Sequence, residues 1–136
     1  MHPLASLCPA FLLLAAAGCA RAPVPLPGIA QGDGRVEWHG TAPCVDCAGI
    51  DTRLVLEREN QDRRYMLVET YVAGTGDLRF VDHGQWQQEA ALLRLRSVAG
   101  GRRTYEVRAD GRLQSCDSHG RPLPLQDGAL LSPVAP

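Results

Sequence analysis

The residues with the clearest capacity for chemistry are Cys44 and Cys47, which stand three positions apart as a Cys-x-x-Cys pair. Such a pair can form a disulfide, exchange disulfides with other thiols or bind a soft metal ion. A redox-active pair needs a helix N-terminus to lower the pKa of its first thiol, and the strand-like pattern after Gly49 provides none. A structural disulfide and a Cu(I) site that adds the thioether of Met66 both stay open.

Other reactive side chains do not have the spacing that zinc binding or catalysis needs. A structural zinc site takes four ligands, usually as two closely spaced pairs. The remaining Cys and His candidates stand singly, at His39, His83, Cys116 and His119. The run 115–119 places Ser, Asp and His too close in sequence for a hydrolase triad. We therefore expect no enzyme activity and expect the histidines to lie at the surface.

The N-terminus predicts export and lipid attachment. Residues 10–18 form an apolar run ending at Cys19, which is too short to span a membrane but suits a signal peptide at 1–18. The tetrad 16–19, Ala-Ala-Gly-Cys, resembles a lipobox, which implies acylation of Cys19 by palmitate-type chains. The alternative is an ordinary secretory signal cleaved after Ala17. Ala20, rather than Asp, implies the outer membrane, with the domain facing the oxidising periplasm.

The mature chain has room for one domain behind a tether. Residues 20–34 contain three Pro and three Gly, so we expect a lipidated, extended tether over 19–34. A single domain then occupies 35–131, with a short tail at 132–136. A net charge of −1 and an aromatic content of 5% give no basic or stacking surface for nucleic acid.

Short strands separated by turns dominate residues 35–131. Residues 50–56 and 65–71 alternate between two faces, as half-buried strands do, and 93–96 alternates Leu with Arg. Asp110-Gly111 between alternating runs is a strong hairpin signal. Residues 85–93 form the one segment that could be a short helix. This pattern predicts an all-β domain, and a closed antiparallel barrel removes its exposed edges.

The two tryptophans are expected to be buried. Trp38 lies in an alternating strand and, with Trp86, is expected in the core or as a plug at a barrel end.

The stretch Trp38–Leu54, with Pro-Cys-x-x-Cys-x-Gly-Ile at its centre, resembles the N-terminal domain of the NlpE family of copper-resistance and envelope-stress lipoproteins. Phe80–Trp86 and the run from Tyr105 to Gly120 resemble it too, so the likeness covers roughly 35–131.

This resemblance implies a lipocalin-like barrel on a lipid anchor, a role in copper tolerance and signalling to an inner-membrane stress-sensing kinase. We expect the chain to hold the N-terminal domain alone, without the second, OB-like domain of the family. The alternative function is a lipocalin-type carrier that binds a small apolar ligand or lipid.

Three mature cysteines compete for one bridge. In the chain-entropy model a Cys44–Cys47 loop is worth about 2 kcal/mol, whereas a bridge to Cys116 closes a loop of roughly 70 residues worth about 4.4 kcal/mol. The resemblance opposes this ranking, because the family usually has an apolar, core-facing residue at the position of Cys116. We predict that Cys44 and Cys47 pair and that Cys116 stays a buried free thiol.

Overall fold

A computed structural model of the chain describes Pro25, Leu26, Ile29 and residues 32–125 and 130–136. The predicted signal peptide at 1–18 and Cys19 lie outside the described residues. Eight strands are present in this part of the chain: β1 (Gly34–Ala42), β2 (Gly49–Glu59), β3 (Asp62–Val72), β4 (Leu78–Glu89), β5 (Leu92–Ser97), β6 (Arg102–Val107), β7 (Leu113–Ser115) and β8 (Leu130–Pro133).

The strands form one closed barrel in which each pairs antiparallel with its neighbours in sequence. Contacts between β1 and β8, at Trp38↔Pro133 and His39↔Ser132, complete the ring. The prediction of a small all-β antiparallel barrel is therefore confirmed. No helix among the described residues has the length and apolar character needed to cross a membrane.

Side chains alternate between the barrel interior and its outer face, as the sequence pattern predicts. On β3, Tyr65 and Leu67 are buried while the intervening Met66 is exposed. The histidines at 39, 83 and 119 are exposed, as expected.

Residues 85–93, the one segment that could have been a short helix, are not helical. These residues complete β4, turn at Ala90 and Ala91, and begin β5. Trp86 lies directly opposite Leu95, and both are buried. Burial across this hairpin outweighs the high helix propensity of the Gln, Glu, Ala and Leu residues. Ala90 takes a φ of 52° to close the turn, which is a small local cost.

One end of the barrel, here called the plugged end, carries the turns 60–61, 90–91 and 108–112. Both tryptophans lie in the core, as predicted, and the indole N–H of each donates a hydrogen bond to a backbone carbonyl. Trp38 donates to Gly111 at 2.9 Å and Trp86 donates to Glu57 at 3.0 Å. A bulky apolar ring with its polar atom satisfied is well suited to seal a barrel.

Two residues of the segment expected to be a free tether also belong to the core. Leu26 is 1% exposed and Ile29 is fully buried, and both pack in the same apolar cluster as Trp38. Asp33 accepts a hydrogen bond from the backbone N–H of Asn60 at 2.7 Å, which holds the entering chain against the β2–β3 turn. The expectation of a free tether is therefore wrong at Leu26 and Ile29.

Candidate functional site

The opposite end, here called the cysteine end, carries the loops 43–48, 73–77 and 98–101. Loop 43–48, the cysteine loop, connects β1 to β2 and contains a disulfide between Cys44 and Cys47, with Cα atoms 5.2 Å apart. The predicted pairing of these two cysteines is thus confirmed. Both are half-buried, while Val45 at the apex of the loop is 99% exposed.

Short-range contacts fix the base of the cysteine loop. The N–H of Ala48 donates to the carbonyl of Val72 at 2.8 Å, which ties the loop to the end of β3. Below it, the hydroxyl of Thr41 donates to the carboxylate of Asp51 at 2.9 Å. The start of β2 is therefore bonded to both neighbouring strands, β1 and β3, and these contacts fix the base of the loop that carries the disulfide.

Met66 is not part of this site. It lies six positions from Val72 along β3, about 20 Å at the usual rise of a strand. Its side chain is on the outer face, between His83 and Val55 of the neighbouring strands. Among the described residues, no group of three or more His, Cys, Asp and Glu side chains is arranged to hold a metal ion. The structure therefore does not assemble the set of Cys44, Cys47 and Met66.

Cys116 is a free thiol, as predicted, although it is half-buried rather than fully buried. It follows β7 in an isolated bridge with Pro122, and its N–H donates to the carbonyl of Thr104. Burial raises the pKa of the Cys116 thiol, and the negative charges of Glu106 and Asp117 add to the effect. A thiol held in its neutral form is a weak nucleophile, so Cys116 is poorly suited to thiol chemistry.

A polar network that sequence reasoning missed lines the interior towards the cysteine end. Asp82 accepts hydrogen bonds from the hydroxyls of Tyr65, at 2.9 Å, and Ser97. Burial acts to raise the pKa of Asp82, but these hydrogen bonds outweigh it and the pKa is lowered. Glu69 and Arg103 form a bidentate ion pair with N···O distances of 2.7 and 2.8 Å.

The sequence signal for this network was the presence of polar residues at inward-facing positions of alternating strands. Glu69 shares its face with the buried Leu67, and Ser97 shares its face with the buried Leu95. A charged residue at such a position needs a partner inside the fold.

The fold and the site define a small closed barrel that carries a half-buried disulfide in its first loop. Residues 38–125 match the family model described as the NlpE N-terminal domain, and the chain belongs to this family.

Two comparisons with individual proteins agree with this assignment. The chain is 32% identical over 90 residues to Lipoprotein NlpE of Escherichia coli strain K12, a match that covers 65% of this chain and 36% of that protein. It is also similar to the crystal structure of the Cpx pathway activator NlpE from Escherichia coli, with a TM-score of 0.54 and 28% identity. That match covers 65% of this chain and 45% of the solved one.

The resemblance inferred from the Cys-x-x-Cys segment is therefore confirmed. The chain spans little more than a third of the length of the curated relative. The family is one of envelope lipoproteins and is not a known class of enzyme.

Proposed function

We propose that this chain is an outer-membrane lipoprotein that contributes to copper tolerance and reports envelope stress to an inner-membrane kinase. In this proposal residues 1–18 are removed, Cys19 is acylated and the barrel of residues 35–131 faces the periplasm. The apolar run 10–18 and the Ala-Ala-Gly-Cys tetrad support the anchor. Membership of the NlpE family supports the function, and the solved relative is named a Cpx pathway activator.

The position of the proposed anchor orients the barrel. Pro25 follows Cys19 by six residues, so the chain between them reaches at most about 20 Å. Leu26 and Ile29, directly afterwards, are packed in the plugged end. An acylated Cys19 would therefore hold the plugged end near the bilayer and leave the cysteine end facing the periplasm.

The half-buried disulfide of the cysteine loop is the observation that carries the copper proposal. Two-electron reduction by a dithiol would convert it into two thiols, and loss of their protons on metal binding would give two thiolate ligands. Cu(I) prefers such soft ligands and accepts low coordination numbers. With Cα atoms 5.2 Å apart, Cys44 and Cys47 suit a two-thiolate site, and Met66 plays no part. Copper is here the cargo or signal rather than a resident cofactor.

A Cu(I) titration of the reduced full-length chain in detergent micelles, under anaerobic conditions and against a chromophoric chelator, tests this proposal. We expect one Cu(I) per chain, with at least a tenfold loss of affinity in Cys44→Ser/Cys47→Ser. Cys116→Ser is the matched control and should bind as the parent does. Equal binding by the double variant, or loss of binding in Cys116→Ser, would show that the cysteine loop is not the copper site.

A second candidate, a carrier of a lipid or small apolar ligand, is favoured by one feature. A cleft of about 990 Å³ lies at the plugged end, where Pro25, Val36, Trp38 and the chain from Pro133 to Pro136 form its apolar part and charged residues of β1 and the 108–112 turn form the rest. Apolar side chains fill the barrel interior next to it, so a ligand would lie in this cleft rather than deep within the barrel. Mass spectrometry of the protein after mild extraction would detect a lipid retained in stoichiometric amount.

A further inference from the structure

The two neighbours of β4 pair with different parts of it, so that the first residues of β4 have a partner strand on one edge only. On one side β3 pairs with it from Leu78 to Gln85, whereas on the other side β5 pairs with it only from Gly84 onwards. The pairing with β5 begins where a Cβ on Gly84 would overlap the carbonyl oxygen of Arg96, so the two strands meet closely there. Beyond this point β5 ends and the chain turns back through residues 98–101. We call the unpaired stretch Leu78–Asp82 the open edge.

Backbone polar groups of the open edge point towards this gap. The carbonyl of His83 accepts a hydrogen bond from the N–H of Val98, so the backbone of His83 faces the β5 side. In an antiparallel strand the direction alternates with each residue. The N–H and C=O groups of Arg79 and Val81 therefore face the same way, and no strand of the described chain pairs with them. Such an edge is a template for one more strand.

Apolar side chains occur at the same place. Leu78 and Phe80 are on the face that turns inward further along β4, yet they are 62% and 55% exposed. Phe80 lies edge-on to the ring of Tyr71, with centroids 5.3 Å apart. These residues line a groove of about 600 Å³ between the open edge and the β5–β6 turn, with the ion pair of Glu69 and Arg103 also in its lining.

The outer rim of the groove is basic. Arg79 is exposed on the open edge, and Arg102 lines the opposite wall at the start of β6. Arg96 lies directly across from Arg102 in the β5–β6 ladder, which places two like charges side by side. Within the part of the chain that the structure describes, none of the ion pairs involves these three arginines. An acidic occupant would neutralise them, whereas a second copy would bring another set of arginines to the same place.

We propose that the open edge is a docking site for an extended acidic segment of a partner protein, which adds to β4 as a further strand. Strand addition supplies affinity through the backbone, and alternate side chains supply specificity. Apolar side chains of the segment would cover Leu78 and Phe80, and its acidic side chains would lie beside Arg79 and Arg102. The inference rests on the proposed signalling function only for the existence of a partner, and it needs no copper.

A labelled seven-residue peptide of alternating Glu and Val tests the proposal against the full-length chain in detergent micelles, with empty micelles as the blank. Fluorescence anisotropy should show saturable binding, and hydrogen exchange should show new protection of the amides of Arg79 and Val81. Val81→Pro removes a donor from the open edge without touching the β3 ladder and should weaken binding at least tenfold. A peptide N-methylated at its pairing amides should lose binding to the same extent, and it serves even if Val81→Pro fails to fold.

Two charge-reversal variants test whether Arg79 contributes to binding. Arg79→Glu should weaken binding at least fivefold, while Arg94→Glu, the same charge change on the paired strand β5, should leave it within twofold. Absence of saturable binding, equal binding of the N-methylated peptide, or self-association of the chain in competition with the peptide would each overturn the proposal. None of these outcomes bears on the Cu(I) titration of the cysteine loop, so failure of one proposal is distinguishable from failure of the other.

Discussion

The plugged end and the cysteine end of the barrel are built from different interactions. At the plugged end, indole rings and the entering chain pack in the interior, and their polar atoms bond to backbone carbonyls. At the cysteine end, the ion pair of Glu69 and Arg103 lines the groove beside the open edge, Leu78 and Phe80 are exposed, and β4 extends beyond its neighbour β5. Burial concentrates stability at the first end, whereas the second has unpaired backbone and a half-buried disulfide, on which both proposals of function rest.

Replacement of one aromatic residue by Ala at each end should give the largest difference in stability between the two ends. Trp38→Ala removes a fully buried ring and its hydrogen bond to Gly111, so we expect the free energy of unfolding to fall by about 3–5 kcal/mol. Phe80→Ala removes a ring that is 55% exposed and should cost less than about 1.5 kcal/mol. Urea unfolding of both variants, followed by far-UV circular dichroism, measures the two values. Equal losses would show that the cysteine end is as tightly packed as the plugged end.

The loss of stability at alkaline pH should show how strongly burial opposes the ionisation of Tyr105 and Tyr65. Burial raises the pKa of Tyr105 to about 12, and burial together with the hydrogen bond to Asp82 raises that of Tyr65 to about 12. The ordinary value is about 10, so the unfolded chain loses these protons first, and stability falls as the pH rises from about 10 to about 12. For Tyr105 the effect approaches 2–3 kcal/mol, at about 1.36 kcal/mol per unit of pKa.

Thermal melts at intervals between pH 9 and 12 measure this loss, and tyrosinate absorbance reports the ionisation directly. Tyr105→Phe keeps the ring and removes the proton, so its stability should decline less over this range than that of the parent. A decline as steep as the parent's would mean that Tyr105 ionises in the folded barrel without penalty.

Alternation along the strands made most of the barrel predictable, because burial on one face leaves a pattern with a period of two. The same pattern could have placed the side chain of Met66 on the outer face, since Tyr65 and Leu67 point inward on either side of it. Leu26 and Ile29 were missed because prolines and glycines around them are typical of free chain, and only the tertiary structure shows a core open to receive them. The open edge depends on where β5 ends relative to β4, and no local sequence signal sets that difference.

Removal of the disulfide should have a smaller effect on stability than removal of Trp38. Cys44 and Cys47 close a very short loop, so the chain-entropy model gives about 2 kcal/mol at most. The backbone hydrogen bond from Ala48 to Val72 holds the base of the loop without the bridge. We therefore expect Cys44→Ser/Cys47→Ser to unfold at only slightly lower urea concentration than the parent, with an unchanged dependence on urea.

The parent treated with a dithiol should match the double variant, which separates loss of the bridge from the change of sulfur to oxygen. Cys116→Ser, with the cysteine loop intact, provides the control for cysteine replacement elsewhere in the barrel. A loss as large as that of Trp38→Ala would mean that the loop clamps β1 to β2 and that reduction unfolds the barrel. A small loss means that the cysteine end can change its redox state while the plugged end keeps the fold, which a reversible response to copper or stress requires.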